Sequence, residues 1–344
     1  MISDLPLNLE STILSRVPAN SLSKLRSTCK RWYALFKDPR FIKNWGTQVI
    51  LKKDYGVYSG SVSLHGIHNS IDPSFEVTYS WLWNPCTGQT RSIRSNNRLY
   101  SMVHTYFLGY ENKNRSCGGY KILSIGIYLV EQKRPRIEIY EFNSDSWRAL
   151  DDVKGDWTVL TYWCNLSYGV SLKGNTYWLK NYHYVSSIVM FDFTTERLGH
   201  ISLPFHNVLL GEMTPVLSVV REEKLALLRF DRKSSEMKIW VSNMKIDEPK
   251  NLSWSYFLVV DFDKLMIQDM TKMVSFLVDE ENKMVVYCDE CIGNAYDQEI
   301  IRIYIAGENM HKEVYKETKK RSLPYDRPLL LSYVPSLVHI DLAT

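Results

Sequence analysis

Residues 168–179 read YGVSLKGNTYWL. Two short apolar runs, 168–172 and 176–179, flank the polar triplet Lys173-Gly174-Asn175. β-branched and aromatic residues on both sides of a Gly-containing turn predict a hairpin. The same design recurs outward along the chain. Residues 188–193 meet Thr194-Thr195-Glu196-Arg197, and 225–230 meet 231–235 before 237–241. Residues 274–278 meet Asp279-Glu280-Glu281-Asn282 before 284–287. Upstream, 80–83 run into Asn84-Pro85-Cys86-Thr87-Gly88, and 137–142 meet Asn143-Ser144-Asp145-Ser146. No long helical pattern interrupts this texture. The turn starts Asn84, Asn143, Asp192, Asp231 and Asp279 lie 39–59 residues apart, around the ~40–50-residue period of propeller blades. Residues 48–344 are therefore expected to form a large all-β, propeller-like domain of about six or seven blades. A β-sandwich with many hairpins is the alternative.

Before residue 48 the periodicity changes. In 4–17, DLPLNLESTILSRV, residues Leu9, Ile13, Leu14 and Val17 fall at helical spacing. Asp4 can cap this helix, Pro6 suits its first turn, and Pro18 stops it. Leu22, Leu25, Cys29, Trp32 and Phe36 then recur every three or four residues up to Asp38-Pro39. The chain thus divides into a small helical segment, 1–47, and the β domain, 48–344. The fold class is α+β multidomain.

The full chain has 344 residues, 45% apolar and 23% charged, which excludes collagen-like and wholly disordered classes. Its net charge of +4 is unevenly placed. Residues 1–45 hold eight basic and three acidic residues, so this segment carries +5 and the remainder sums to −1. That distribution offers no basic platform for nucleic acid in the β domain. It points instead to an acidic partner for the helical segment. Six scattered cysteines, the lack of a signal-like start and the absence of any membrane-length apolar run predict an intracellular protein with free thiols, in the nucleus, the cytoplasm or both.

The run Leu5-Pro6, Ile13-Leu14-Ser15-Arg16-Val17-Pro18, Ser21-Leu22, Leu25-Arg26, Cys29-Lys30-Arg31-Trp32, Asp38-Pro39 and Phe41 resembles an F-box from end to end. Many fixed spacings hold at once, although Thr28 stands where many F-boxes carry Val. The resemblance implies a three-helix module that docks on the Skp-family adaptor of a cullin–RING ubiquitin ligase. Its adaptor contacts would be Leu5, Pro6, Ile13, Leu14, Pro18, Leu22, Leu25, Cys29 and Trp32. Such adaptors are acidic, which agrees with the +5 segment. Residues 78–338 resemble the plant F-box-associated interaction domain. The phrases Tyr120-Lys121-Ile122-Leu123, Ile139-Tyr140-Glu141-Phe142, Gly169-Val170-Ser171-Leu172, Phe191-Asp192-Phe193, Ile239-Trp240-Val241 and Ser332-Tyr333-Val334-Pro335 carry this likeness. By resemblance, the β domain binds the protein to be ubiquitinated, whose identity and contact residues the sequence leaves open. No cofactor, metal, nucleic acid or membrane is implied.

Other chemical patterns are thin. Cys288-Asp289-Glu290-Cys291 has the spacing of half a zinc site, but no second pair follows. His65 and His68 would face opposite ways on a strand. Asp151-Asp152 and Glu280-Glu281 read as solvated turns. Lys319-Lys320-Arg321 is a possible nuclear import run, though solvated basic turns are commoner. Trp81, Trp83, Trp157, Tyr162 and Trp163 fit core packing better than ligand stacking. No nucleophile elbow, phosphate-binding loop or zinc-protease motif occurs. The alternative to a ligase receptor is a propeller enzyme or glycan-binding protein whose helices only pack on the propeller. In that case the face of Leu14, Leu25 and Trp32 would be covered by the chain itself.

Overall fold

In a computed structural model of the chain, antiparallel strands and tight turns make up most of the described residues between 48 and 333. It describes residues 6–14, 25, 28–35, 48–53, 56–63, 66–68, 81–83, 89–93, 102–111, 119–128, 135–150, 169–182, 184–205, 208–209, 215–221, 223–243, 252–266, 272–292, 298–320 and 328–333. Among the described residues, two helices precede the strands: α1 (Leu7–Leu14) and α2 (Lys30–Leu35). Leu25 between them is helical, while the rest of the expected second helix lies outside the described residues.

The strands form six sheets among the described residues. Strands β1 (Gln48–Lys53), β2 (Gly56–Ser63) and β3 (Gly66–His68) open the domain. A hairpin follows, β4 (Trp81–Trp83) with β5 (Thr90–Ser92). Four consecutive meanders come next. The first is β6 (Met102–Tyr110), β7 (Tyr120–Tyr128), β8 (Arg136–Glu141) and β9 (Ser146–Ala149). The second is β10 (Val170–Leu172), β11 (Asn175–Tyr182), β12 (Tyr184–Asp192) and β13 (Arg197–Ser202), with β14 (Val208–Leu209) also on β12. The third is β15 (Val216–Val220), β16 (Lys224–Asp231), β17 (Glu236–Ser242) and β18 (Trp254–Asp261). The fourth is β19 (Met273–Asp279), β20 (Met284–Ile292), β21 (Gln298–Gly307) and β22 (Met310–Lys320). Finally β23 (Leu329–Tyr333) returns to pair with β1, so the last strand completes the first sheet.

This is a propeller-like arrangement, not two facing sheets. Successive sheets pack face to face. Phe107, Leu123 and Ile139 of the first meander meet Trp178, Val189 and Phe191 of the second. Leu172 and Ile188 of the second meet Leu217 and Leu227 of the third. Ala226 and Ile239 of the third meet Phe276 and Tyr287 of the fourth, whose other face holds Cys288 and Ile303 against Leu330 of β23. The first strand of each meander approaches the first strand of the next, and β19 approaches β23. Serines tie several of these approaches. Ser171 Oγ donates to the Leu108 carbonyl at 2.8 Å and Ser218 Oγ to that of Phe276 at 2.6 Å. Leu330 N–H donates to Ser275 Oγ at 2.9 Å.

The turns explain the repeat in the sequence. Glu196, Ser235 and Lys283 adopt left-handed backbone, each four residues after Asp192, Asp231 or Asp279. Those aspartates accept N–H bonds from the turn: Asp192 from Thr194, Asp231 from Lys233 and Asp279 from Glu281. Such bonds mimic a backbone turn. In the first meander the left-handed residue is Asp145, only two after Asn143. The structural counterpart of the aspartates there is Glu141, which is bonded to Arg148 at 2.9 Å. Asn84 lies outside the described residues.

Candidate functional site

Helix α1 carries two adjacent pairs of residues one turn apart, and its neighbour α2 decides which faces inward. Glu10 and Leu14, one turn apart, are the buried pair; Leu14 is 2% exposed and Glu10 fully buried. The Glu10 carboxylate accepts a hydrogen bond from Trp32 Nε1 and pairs with Arg31 Nη2 at 2.7 Å. These bonds pin α1 to α2. A buried carboxylate needs such donors, because an unpaired charge there would be very costly. The other stripe, Leu9 and Ile13, is 50% and 43% exposed. Tyr33 on α2 is 40% exposed, and Lys30 and Arg31 are also exposed. Exposed apolar side chains on a segment of net positive charge suit an apolar groove in an acidic partner.

The residues expected to contact an adaptor therefore separate. Ile13 and Pro6 are exposed, with the Pro6 carbonyl accepting N–H bonds from Leu9 and Glu10 at 3.0 Å. Leu25, Cys29 and Trp32 are half-buried. Cys29 Sγ accepts the Trp32 N–H at 3.4 Å, an N-cap-like bond at the start of α2. Leu14 faces inward. Leu5, Pro18 and Leu22 lie outside the described residues. Leu9, Tyr33 and the Glu10 anchor were not among the expected adaptor contacts, although Leu9 shares the helical spacing that marked Ile13.

The other chemical patterns are dispersed. Cys288 and Cys291 sit three apart on β20; Cys288 is fully buried, and burial pushes its thiol pKa well up. Among the described residues, no three His, Cys, Asp or Glu are placed to hold a metal ion. Glu280 and Glu281 are not free turn carboxylates. They pair with Lys224 at 2.7 Å and Arg221 at 2.8 Å, joining the fourth meander to the third. Glu196 does the same two junctions earlier, joining the second meander to the first through Lys121 at 2.8 Å and Arg148. Burial alone would raise the Glu196 pKa, but Arg148 and Lys121 hold it below the usual carboxylate range. Lys319 is half-buried on β22 and paired with Glu299 at 3.4 Å, so the basic run begins inside a strand, not in a turn. His68 and Trp81 with Trp83 lie on β3 and β4. His65, Arg321, Asp151-Asp152, Trp157, Tyr162 and Trp163 lie outside the described residues. No helix among the described residues is long and apolar enough to cross a membrane.

The helical segment and the β domain each match a known family. Residues 2–44 match the F-box domain, and residues 78–340 match the F-box associated beta propeller domain. Three F-box/kelch-repeat proteins of Arabidopsis thaliana are 44%, 47% and 43% identical to the chain. Each alignment covers 99% of this chain and, in that order, 94%, 97% and 96% of the relative. An exposed apolar stripe on paired N-terminal helices, a series of packed antiparallel meanders after it and likeness over nearly the full length all agree: the chain belongs to the plant F-box proteins that carry an F-box-associated β-propeller domain.

Proposed function

We propose that this protein is the substrate-recognition subunit of a Skp–cullin–F-box ubiquitin ligase. The carrying observation is the exposed Leu9–Ile13 stripe, with Tyr33 exposed on α2, lying within the residues that match the F-box. In this reading the helices dock on a Skp-family adaptor, and through it on the cullin–RING scaffold. The β domain holds a target protein. The chain needs no nucleophile of its own, since it acts by raising the effective concentration of target lysines near a ubiquitin carrier held elsewhere. It works inside the cell, in the nucleus, the cytoplasm or both, without nucleic acid or membrane partners.

One observation favours the other reading, in which the helices only pack on the chain: Leu14 is already covered. The exposed Leu9 and Ile13 favour docking, and Leu25 and Trp32 are covered only in part. A pull-down of the full chain with a plant Skp-type adaptor separates the two. Leu5→Ala/Pro6→Ala and Leu9→Asp/Ile13→Asp variants should lose binding while the β domain keeps its thermal transition. Binding unchanged in both variants, or no binding by folded wild type, would overturn the proposal.

A further inference from the structure

The geometry points to β22 as a docking strip for an acidic, extended segment of the target protein, taken up as an added strand. This deepens the receptor reading, on which it rests for the word target. Strand β22 is eleven residues long and, among the described residues, ends its sheet and pairs only with β21. Among the described residues, strand β3 comes near it and pairs with β2 alone. Lys316, Thr318 and Lys320 alternate as exposed residues, with Tyr315, Glu317 and Lys319 between them half-buried. Lys312 is exposed on the far side of the register shift that faces β22 at Ile303/Tyr304.

The acidic groups of this region are drawn to partners within the protein. Tyr315 Oη donates to Glu317 at 2.7 Å, Glu299 pairs with Lys319 at 3.4 Å, and Glu313 lies 3.8 Å from Arg302. Glu313 is exposed, and the outward charge is positive at the Lys316–Lys320 end of the strip. Lys316 and Lys320 lie four residues apart with exposed Thr318 between them, a span of roughly 13 Å along a strand. An extended peptide with carboxylates on alternate residues can place two of them at that spacing, and an edge strand supplies backbone groups to pair with it. Nucleic acid fits less well, because it would use the charge and leave the edge amides without a strand partner. Lysines on an edge also guard against unwanted pairing, so direct binding is the deciding measurement.

The probe is a fluorescein-labelled alternating Thr-Glu peptide of about ten residues, titrated into the full chain and followed by anisotropy. Controls are its Thr-Gln counterpart, the Thr-Glu peptide N-methylated on alternate amides, and a short DNA duplex. Binding of Thr-Glu alone is expected, weakened by at least about tenfold in Lys316→Glu/Lys320→Glu. The N-methylated peptide should bind no better than Thr-Gln. Lys316→Gln/Lys320→Gln serves if charge reversal disturbs folding, and should give a smaller loss in the same direction. No binding, equal binding by the N-methylated peptide or the DNA, or binding untouched by both variants would overturn the strip. The adaptor pull-down is run on the same variants. Peptide binding with no adaptor binding by wild type would overturn the receptor reading and leave the strip; retained adaptor binding with no peptide binding would do the reverse.

Discussion

Gly174 shows how one residue of the hairpin at 168–179 serves two needs. Its φ is 86°, and an added Cβ would lie 2.5 Å from the Tyr110 carbonyl oxygen. Its own carbonyl accepts the Tyr110 N–H at 3.1 Å, tying the first meander to the second. Gly174→Ala should therefore cost more than about 2 kcal/mol, from left-handed strain and the backbone clash together. Ser235 is the converse case, a non-glycine at φ 51° in an exposed hairpin turn. Ser235→Gly should gain roughly 0.5–1 kcal/mol, relief of strain exceeding the added entropy of the unfolded chain. Thermal and denaturant midpoints of the two variants should move in opposite directions. His311 sets a pH dependence. It stacks on Tyr304 at 4.7 Å and shares a 2.5 Å hydrogen bond with Tyr287. Burial lowers its pKa to about 4, from 6.5. The unfolded chain takes up the proton first on acidification. The contribution is thus complete above about pH 6.5 and is lost as pH falls toward about 4. The whole shift would be worth about 3 kcal/mol, and screening at this half-buried site reduces the expected swing to roughly 1–2 kcal/mol. The difference in stability between wild type and His311→Phe, followed from pH 7 to 4, should show that swing; a constant difference would refute it.

At the scale of elements, the inner strands depend on small hydroxyl side chains. Ser218 on β15 is buried and donates to the Phe276 carbonyl on β19. Ser218→Ala leaves that carbonyl without its donor, and should cost about 1–3 kcal/mol in a denaturant titration. No change would mean that water replaces the hydroxyl. These ties also mark the limit of legibility. The strands and turns were readable because alternation, Asp and Gly act within a few residues of chain. The Ser218 bond joins residues 58 apart and the Trp32–Glu10 bond residues 22 apart, and nothing local announces either. The same holds for α1. Helical spacing puts Leu9 with Ile13 and Glu10 with Leu14, but only the crossing of α2 decides which pair is covered. Leu14 was thus expected at the docking face and lies inside, while the charged Glu10 is the buried anchor.

For the molecule as a whole, the closing sheet is the decisive joint. Strand β1 begins at Gln48, directly after the F-box match ends at residue 44, and its partner β23 comes from the other end of the chain. The pairing fastens the last described strand into the sheet that packs on the fourth meander, and ties that joint to the exit from the helical segment. Leu330 carries much of the joint. It is 3% exposed, packs on Val274, Cys288 and Ile303 of the fourth meander, and its N–H is bonded to Ser275 Oγ. Leu330→Asp places a carboxylate among those apolar groups and loses the leucine contacts. The cost should exceed about 3 kcal/mol, combining a buried unpaired charge with lost packing. A surface substitution of the same kind should cost under about 0.5 kcal/mol. Lys316→Asp on exposed β22 is the matched control. If closure holds the domain together, the Leu330→Asp chain should also be cut first by limited proteolysis near β1 and β2, since those strands lose their link to the fourth meander. Early cleavage confined to other sheets would mean that the meanders stand without the closing strand, each held by its neighbours alone.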